Sequence, residues 1–452
     1  MAPDGAMFLS IGEQEVGNLL KICDEIFGEE NRISIIARVA KTASDMGSFF
    51  APSIDFVLCY AKNKDSLAPF KDEVDESLYK KTEIDGDRKG ERYRDDVALY
   101  QSALTLERSR NARYYIECPD GSLCIPPENK RWRVIEGTFL EMKRNNQIVF
   151  KKTKKSPLID AEGRQSKWNI YTKSYLNDRL AEGTLPRNFL DEFINRKGAD
   201  LIKKYGIEFE FSKPVELMEY FLDIMNLKTN DIVLDFFAGS ASTAHSVINK
   251  NLRSDFGLRY IMVQLPEPIE SSNNSNKGLD TVAEIGKERI RRVLKQLEKE
   301  ELEHLPIKSS TESQDGGFKV FKLQSSCFAV WNVPATRSER ELTTQLEMSI
   351  DHIVAGRSEE EILYELLLKS GFPLSTHIQH LQVAGKDVNS VASGAMLVCL
   401  DKDLDHDVIL RIASMTPERV ICLDEGFKGN DQLKTNAVQT MKSKGVTSFH
   451  TV

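Results

Sequence analysis

An α/β fold is predicted for this chain, with strands and helices doubly wound about a parallel sheet, and three neighbouring stretches predict it. The first is Asp231-Ile-Val-Leu-Asp235-Phe-Phe237-Ala-Gly239-Ser240, followed by Ala241-Ser242-Thr243. Ile232, Val233 and Leu234 read as a buried strand that ends at Asp235. Gly239 lets the backbone turn sharply, and Ser242 or Thr243 can cap a following helix whose free N–H groups face outward. Strand, turn and helix in this order hold nucleotide-like ligands in doubly wound folds. Alone, the same turn also suits an ordinary strand-to-helix connection that binds nothing. The second stretch is Phe211-Ser-Lys213-Pro214-Val-Glu216-Leu217, where proline suits a helix start and Leu217, Phe221 and Ile224 recur at helical spacing. By itself it is a plain amphipathic core helix. The third, Arg259-Tyr-Ile-Met-Val-Gln264-Leu-Pro-Glu267-Pro, reads as the next strand.

In chain order, residues 1–63 read as α/β, with strands at Met7–Ile11 and Phe56–Ala61 around a helix at Val16–Phe27. Residues 64–190 lose the strand–helix rhythm and become densely and oppositely charged, with interspersed aromatics. Basic residues cluster there: Arg88, Lys89, Arg92 and Arg94; Lys130, Arg131 and Arg133 around Trp132; and Lys151, Lys152, Lys154 and Lys155. Each cluster reads first as a solvated charged face. Lysines and arginines so placed can also neutralise phosphates, and arginines can read base edges. Residues 191–267 hold the three stretches above, and 268–316 read as a linker with a helix inside it, its face marked by Ile290, Val293, Leu294 and Leu297. Residues 317–452 read as a separate small α/β unit. Its strands are expected at Phe318–Leu323, Ala395–Leu400, Val420–Leu423 and Thr447–Val452, and its helices at Glu359–Lys369, His406–Met415 and Leu433–Lys444.

The strand and turn at Asp231–Ser240 resemble motif I of S-adenosylmethionine-dependent DNA methyltransferases, in the form with two Phe after the Asp. Lys213-Pro214 and its helix resemble motif X, and motif X directly before motif I is the order of the permuted β-class amino-methyltransferases. Further stretches narrow the resemblance to the Mod subunit of type III restriction–modification systems. They are Gly5-Ala-Met-Phe8 onward, Cys23-Asp24-Glu25-Ile26-Phe27-Gly28-Glu29-Glu30-Asn31, Asp55-Phe-Val-Leu-Cys-Tyr60-Ala-Lys62-Asn63, and a C-terminal signature, Cys422-Leu-Asp424-Glu425-Gly-Phe427-Lys-Gly-Asn430-Asp431-Gln-Leu433-Lys434-Thr-Asn436. The resemblance implies a Rossmann-like methyltransferase sheet with an inserted target-recognition region, at 64–190, and a C-terminal α/β assembly domain. It implies adenine-N6 methylation of double-stranded DNA, a homodimer, and a Res helicase–endonuclease partner. S-adenosyl-L-methionine is the implied cofactor, with no metal for methylation. Carried over residue by residue, the cofactor would meet Lys213, Pro214, Asp235, Phe236, Phe237, Ala238, Gly239, Ser240 and Gln264. Gln264 ends the strand where many relatives have an acid, and Glu267 stands close by, so either could hold the ribose hydroxyls. Ala241 stands where many methyltransferases have glycine, and its methyl group could narrow the approach to the methionine moiety. For DNA the candidates are Arg92, Arg94, Arg131, Arg133, Lys151, Lys152, Lys154 and Lys155.

The family's catalytic tetrapeptide, Asp-Pro-Pro-Tyr, does not occur. The only adjacent prolines, Pro126-Pro127, lie between Ile125 and Glu128. That segment offers neither the polar first side chain that bonds a flipped base nor the aromatic ring that stacks on it. In the family the tetrapeptide precedes the segment matched by Gly5 to Asn31. The chain is therefore expected to start after the catalytic loop, to lack strands of the sheet, and to transfer no methyl group alone. No catalytic residue is assigned.

Composition bounds the rest. Charged residues make up 29% and the net charge is −8, which argues against an indiscriminate binder of polyanions but not against a local basic patch. No apolar run approaches the roughly 20 residues of a membrane span, and no signal peptide is visible. The seven cysteines are scattered and odd in number, as in a reduced cytoplasmic protein. Cys118 and Cys124 are too far apart in sequence for a tight metal knuckle, and no metal site is expected.

Overall fold

Alternating apolar residues in β1 (Ala6–Gly12) and β3 (Ile54–Ala61) pair antiparallel, with Phe8 opposite Cys59. Between them α1 (Val16–Phe27) turns Cys23 onto Leu58 and Tyr60. The computed structural model describes residues 1–42, 49–102, 111–254, 257–269, 278–303, 317–328 and 353–452, which fall into two compact units, Met1–Ser310 and Thr311–Val452. β2 (Arg32–Val39), which the sequence reading passes over, pairs with β3. It hides a fully buried arginine, Arg38, whose guanidinium meets the Asp55 carboxylate at 2.5 Å and donates to the Phe193 carbonyl and Asn195 Oδ1. An ion-paired arginine inside a strand masks the alternation that would otherwise reveal it.

The interval that lost the strand–helix rhythm is a small mixed module. β4 (Lys81–Thr82), β5 (Arg92–Ala98), β6 (Ile148–Lys152) and β7 (Trp168–Tyr175) form an antiparallel sheet in the order β6-β7-β5-β4. Its core joins Leu99, Trp132, Trp168 and Ile170 to Phe139 of a short helix, α2 (Glu136–Arg144). Cys118 and Cys124 meet there with their sulfurs 3.4 Å apart, both as buried free thiols. Among the described residues no group of three or more His, Cys, Asp or Glu is placed to hold a metal.

The chain then returns to the first sheet. β8 (Phe189–Leu190) joins it parallel to β2, giving the order β1-β3-β2-β8. α3 (Asn195–Lys204) and α4 (Val215–Ile224) follow. α4 lays Leu217, Phe221 and Ile224 on Ile36, Val57 and Cys59, with the Phe8 and Phe221 rings stacked at 4.5 Å. Leu222, on another face of α4, packs with Val233, Val247, Leu258 and Tyr260. One helix therefore serves this sheet and a second one, in which β9 (Ile232–Asp235) pairs parallel with β10 (Arg259–Met262) around α5 (Ser242–Arg253). Lys228 and Asp4, just ahead of β9 and β1, are joined by an ion pair of 2.6 Å.

The reading of Ile232-Val-Leu234 as a buried strand needs correction: Ile232 and Leu234 are 53% and 56% exposed, as is Ile261 of β10 at 50%. Among the described residues β9 has one partner strand, β10, and α4 and α5 pack on its Val233 face. α6 (Val282–Glu303) closes the first unit; its Ile285 is buried with Ile202 and Ile207. The polar run Ser271–Asn276 and the segment 304–316 lie outside the described residues.

The second unit is a five-stranded sheet with helices on both faces. Its elements are α7 (Glu359–Lys369), β11 (Ile378–Val383), β12 (Lys386–Val391), β13 (Met396–Cys399), α8 (His406–Ser414), β14 (Arg419–Cys422), α9 (Asp431–Ser443) and β15 (Ser448–Thr451), with strand order β11 to β15. α7 covers one face, while α8 and α9 cover the other. The hairpin β11–β12 was not foreseen, because its turn carries Ala384-Gly385, both at positive φ, in place of the Asn-Gly that announces such turns. Phe318–Leu323 forms no strand. Among the described residues no helix is long and apolar enough to cross a membrane.

Candidate cofactor site

Asp235 closes β9 with both carboxylate oxygens engaged. One accepts the Phe237 N–H at 3.0 Å and the other the Thr243 hydroxyl at 2.6 Å, so the carboxylate ties the strand end to the first turn of α5. Between them the backbone folds tightly: the Ala238 N–H reaches the Val263 carbonyl, and the Ala241 N–H returns to the Ala238 carbonyl at 2.7 Å. Gly239 sits at φ +51° and its N–H donates to Gln264 Oε1 at 2.7 Å. Gln264 also donates to the Leu265 carbonyl, so this strand-end side chain is folded onto the turn and braces it. Glu267 takes no part in that brace.

Ala241, the N-cap of α5, sits in the left-handed region at φ +58° and ψ +40°, a conformation that costs an alanine about 1–2 kcal/mol. Ala241 is buried beneath the turn, with its methyl group beside Gly286 of α6.

The motif X residues meet this turn from the other side. Pro214 caps α4 one residue ahead of its first turn, and the carbonyl of Lys213 accepts the Ser242 hydroxyl at 2.9 Å. The Lys213 ammonium is held below the usual lysine range, first by burial and next by Arg38, against the opposing pull of Asp55 and Asp235. It thus stands among charges from the sheet of β1, β3, β2 and β8 and from the sheet of β9 and β10. The Phe236 and Phe237 rings, 5.2 Å apart, are 43% and 81% exposed beside the turn. The structure therefore gathers Lys213, Pro214, Asp235, Phe236, Phe237, Ala238, Gly239, Ser240 and Gln264 into one place. A tight turn at the start of a helix, beside two exposed rings, fits a ligand with a polar end and a flat aromatic part.

One participant escaped the sequence reading. Arg289 of α6 is fully buried behind the turn and donates to Ser212 Oγ, Ser240 Oγ, the Ser240 carbonyl and Ser242 Oγ at 2.9–3.2 Å. Its signal was present: Ile285, Arg289 and Val293 are four apart, so an arginine occupies the apolar stripe of a helix.

The sequence profile of a family described as DNA methylase matches residues 1–269. The chain belongs to the DNA methylase family. It is 24% identical over 489 aligned positions to the Mod subunit of the type III restriction–modification enzyme EcoP15I of Escherichia coli, covering 96% of this chain and 68% of that one. To the EcoPI Mod subunit of Escherichia phage P1 it is 24% identical, covering 96% and 67%. Among solved structures, the cytosine-N4-specific PvuII DNA methyltransferase aligns with 65% of this chain and 71% of its own, at 11% identity and a TM-score of 0.28.

In this chain the eight basic candidates for DNA are not equivalent. Arg92 pairs with Glu76 at 2.9 Å, and Arg94 with Asp96 at 2.6 Å. Lys151 pairs with the buried Asp95 at 3.0 Å and lies over the Tyr171 ring. Lys152 lies 5.2 Å from the Trp168 ring centre, and Arg133 donates to the Ala98 carbonyl. Arg131 is half-buried in the short strand Lys130–Trp132. Lys154 and Lys155 are exposed. The Pro126-Pro127 segment is engaged in holding its own module together. The Pro127 carbonyl accepts from the Lys130 N–H and from Arg113, and Ile125 bridges to Ile159.

Proposed function

We propose that this chain is the modification and DNA-recognition subunit of a type III restriction–modification system. The reaction of such a subunit is methylation of adenine N6 at specific sites in double-stranded DNA with S-adenosyl-L-methionine as donor; this chain, which contains no Asp-Pro-Pro-Tyr, is expected to bind cofactor and DNA and not to transfer the methyl group alone. The observation that carries this is the turn after Asp235, locked at both carboxylate oxygens and braced by Gln264, in a chain of the DNA methylase family. The match to type III Mod subunits over 96% of the chain supports it.

In this reading the cofactor supplies an electrophilic methyl group on sulfur. The protein's residues do the rest. The Gly239–Ser240 backbone and the start of α5 receive the polar end, Phe236 and Phe237 flank the flat part, and Lys213 adds positive charge. Residues 64–190 hold DNA, and Lys154 and Lys155 are its best phosphate contacts, because they are exposed and make neither an ion pair nor a ring contact in the described residues. Residues 317–452 serve assembly with a second Mod subunit and with Res. A cytoplasmic location follows from the same reading.

A second reading rests on the absent tetrapeptide: a non-catalytic recognition and assembly subunit that keeps DNA and partner binding. One experiment tests both. The 452-residue chain is incubated with labelled S-adenosylmethionine and DNA, and S-adenosylhomocysteine binding is measured in parallel by calorimetry. Because it contains no Asp-Pro-Pro-Tyr, this chain is expected to bind the cofactor and to leave DNA unlabelled. Label in adenine would refute the expected inactivity, and absent cofactor binding would refute the first reading.

A further inference from the structure

A buried guanidinium normally faces a carboxylate, because an uncompensated charge in the interior costs several kcal/mol. Arg289 has no ion pair among the described residues. All of its hydrogen bonds go to uncharged groups: three serine hydroxyls, one carbonyl and Nδ1 of His245, the last at 3.4 Å. His245, buried beside it, is held neutral by burial and by the arginine itself. Glu216, exposed on the first turn of α4, and Tyr205 also act electrostatically on Arg289. Burial lowers the guanidinium only to about 10, so it keeps its charge at neutral pH. All three serines belong to the segments that shape the cofactor turn: Ser240 within it, Ser242 at the start of α5, Ser212 beside Lys213.

We infer that Arg289 is a positioning residue that presets this turn for an anion, and that the anion is the α-carboxylate of the cofactor's methionine moiety. The inference rests on the cofactor reading above. The carboxylate would bind on the outer side of the turn, and Arg289 would act on it through Ser240 and Ser242. In a poorly solvated interior the field of a fixed charge reaches across one layer of hydroxyls, and it costs no rearrangement when the ligand arrives. Gly286, one turn before Arg289, lets α6 come close enough: a Cβ there would lie 3.1 Å from the Gly239 carbonyl oxygen.

Calorimetry on the full chain tests this with two ligands, S-adenosylhomocysteine and its decarboxylated analogue, on the wild type, Arg289→Gln and Arg289→Lys. The wild type should prefer the carboxylate-bearing ligand by about tenfold, equivalent to about 1.4 kcal/mol. Arg289→Gln should lose most of that preference while still binding the analogue, and Arg289→Lys, which keeps the charge, should retain it. Equal affinity of the wild type for both ligands overturns the inference without recourse to any variant that fails to fold. Proportional loss of both ligands in Arg289→Gln overturns it too, since that marks a merely structural arginine. If the wild type binds neither ligand, the cofactor reading itself falls and takes this one with it.

Discussion

At Gly198, α3 passes so close to the Ser212–Lys213 backbone that an added Cβ would lie 2.2 Å from the Ser212 carbonyl oxygen. Real Cβ atoms do not approach backbone that closely, so Gly198→Ala must push the segment that carries Lys213. It is expected to cost about 1–3 kcal/mol in urea unfolding and to weaken S-adenosylhomocysteine binding. Gly137 on α2 is the control, since nothing lies within 4 Å of its added Cβ; there the same substitution should stabilise by about 0.5–1 kcal/mol. A second prediction concerns His245, whose folded value is pushed down to about 3 by burial and by Arg289, against an ordinary value of 6.5. Between those values the unfolded chain takes up a proton and the folded one does not. Its contribution is therefore complete above about pH 6.5 and is lost as pH falls, by at most about 1.4 kcal/mol per unit. His245→Gln, which stays neutral, should flatten the dependence of unfolding free energy between about pH 7 and pH 5. An unchanged slope would remove His245 from the account.

At the scale of elements, legibility followed how far each element's chemistry is local. α1, β9, the turn and α4 announce themselves by periodicity, a proline and a glycine, and the nine cofactor candidates meet in space. β2 was missed because an ion pair with Asp55, far along the chain, makes Arg38 an interior residue. α6 was read as a helix within a linker, since Arg289 looks like surface until Ser212, Ser240 and Ser242 surround it. The C-terminal signature has a local cause that sequence alone did not expose. Asn430 caps α9 through the Leu433 N–H at 3.0 Å, Phe427 is buried, and a Cβ on Gly426 would lie 2.6 Å from the Asp401 carbonyl oxygen. Those residues therefore hold a turn together, whatever else they do. α6 also makes a prediction of its own. Gly286→Val would press on Gly239 and Ala241, so it should weaken S-adenosylhomocysteine binding at least about tenfold, more than its effect on unfolding implies. Equal binding by the variant would show that α6 does not shape the turn.

At the scale of the whole molecule, two facts pull in different directions. A net charge of −8 opposes loose attraction to DNA, so any DNA contact depends on lysines left unpaired locally. Yet the first unit exposes an apolar face in its second sheet, where Ile232, Leu234 and Ile261 are each at least half exposed and Phe237 is 81% exposed beside them. Grouped apolar exposure of this kind favours association. Leu234→Ser removes a side chain that gains little from burial, so its cost in unfolding should stay below about 1 kcal/mol. If the face drives self-association, light scattering at rising concentration should show a smaller mean mass for Leu234→Ser, and smaller still with Ile261→Ser added. A large loss of stability would instead mean that Leu234 is covered in solution, and that β9 has a neighbour which the described residues do not supply.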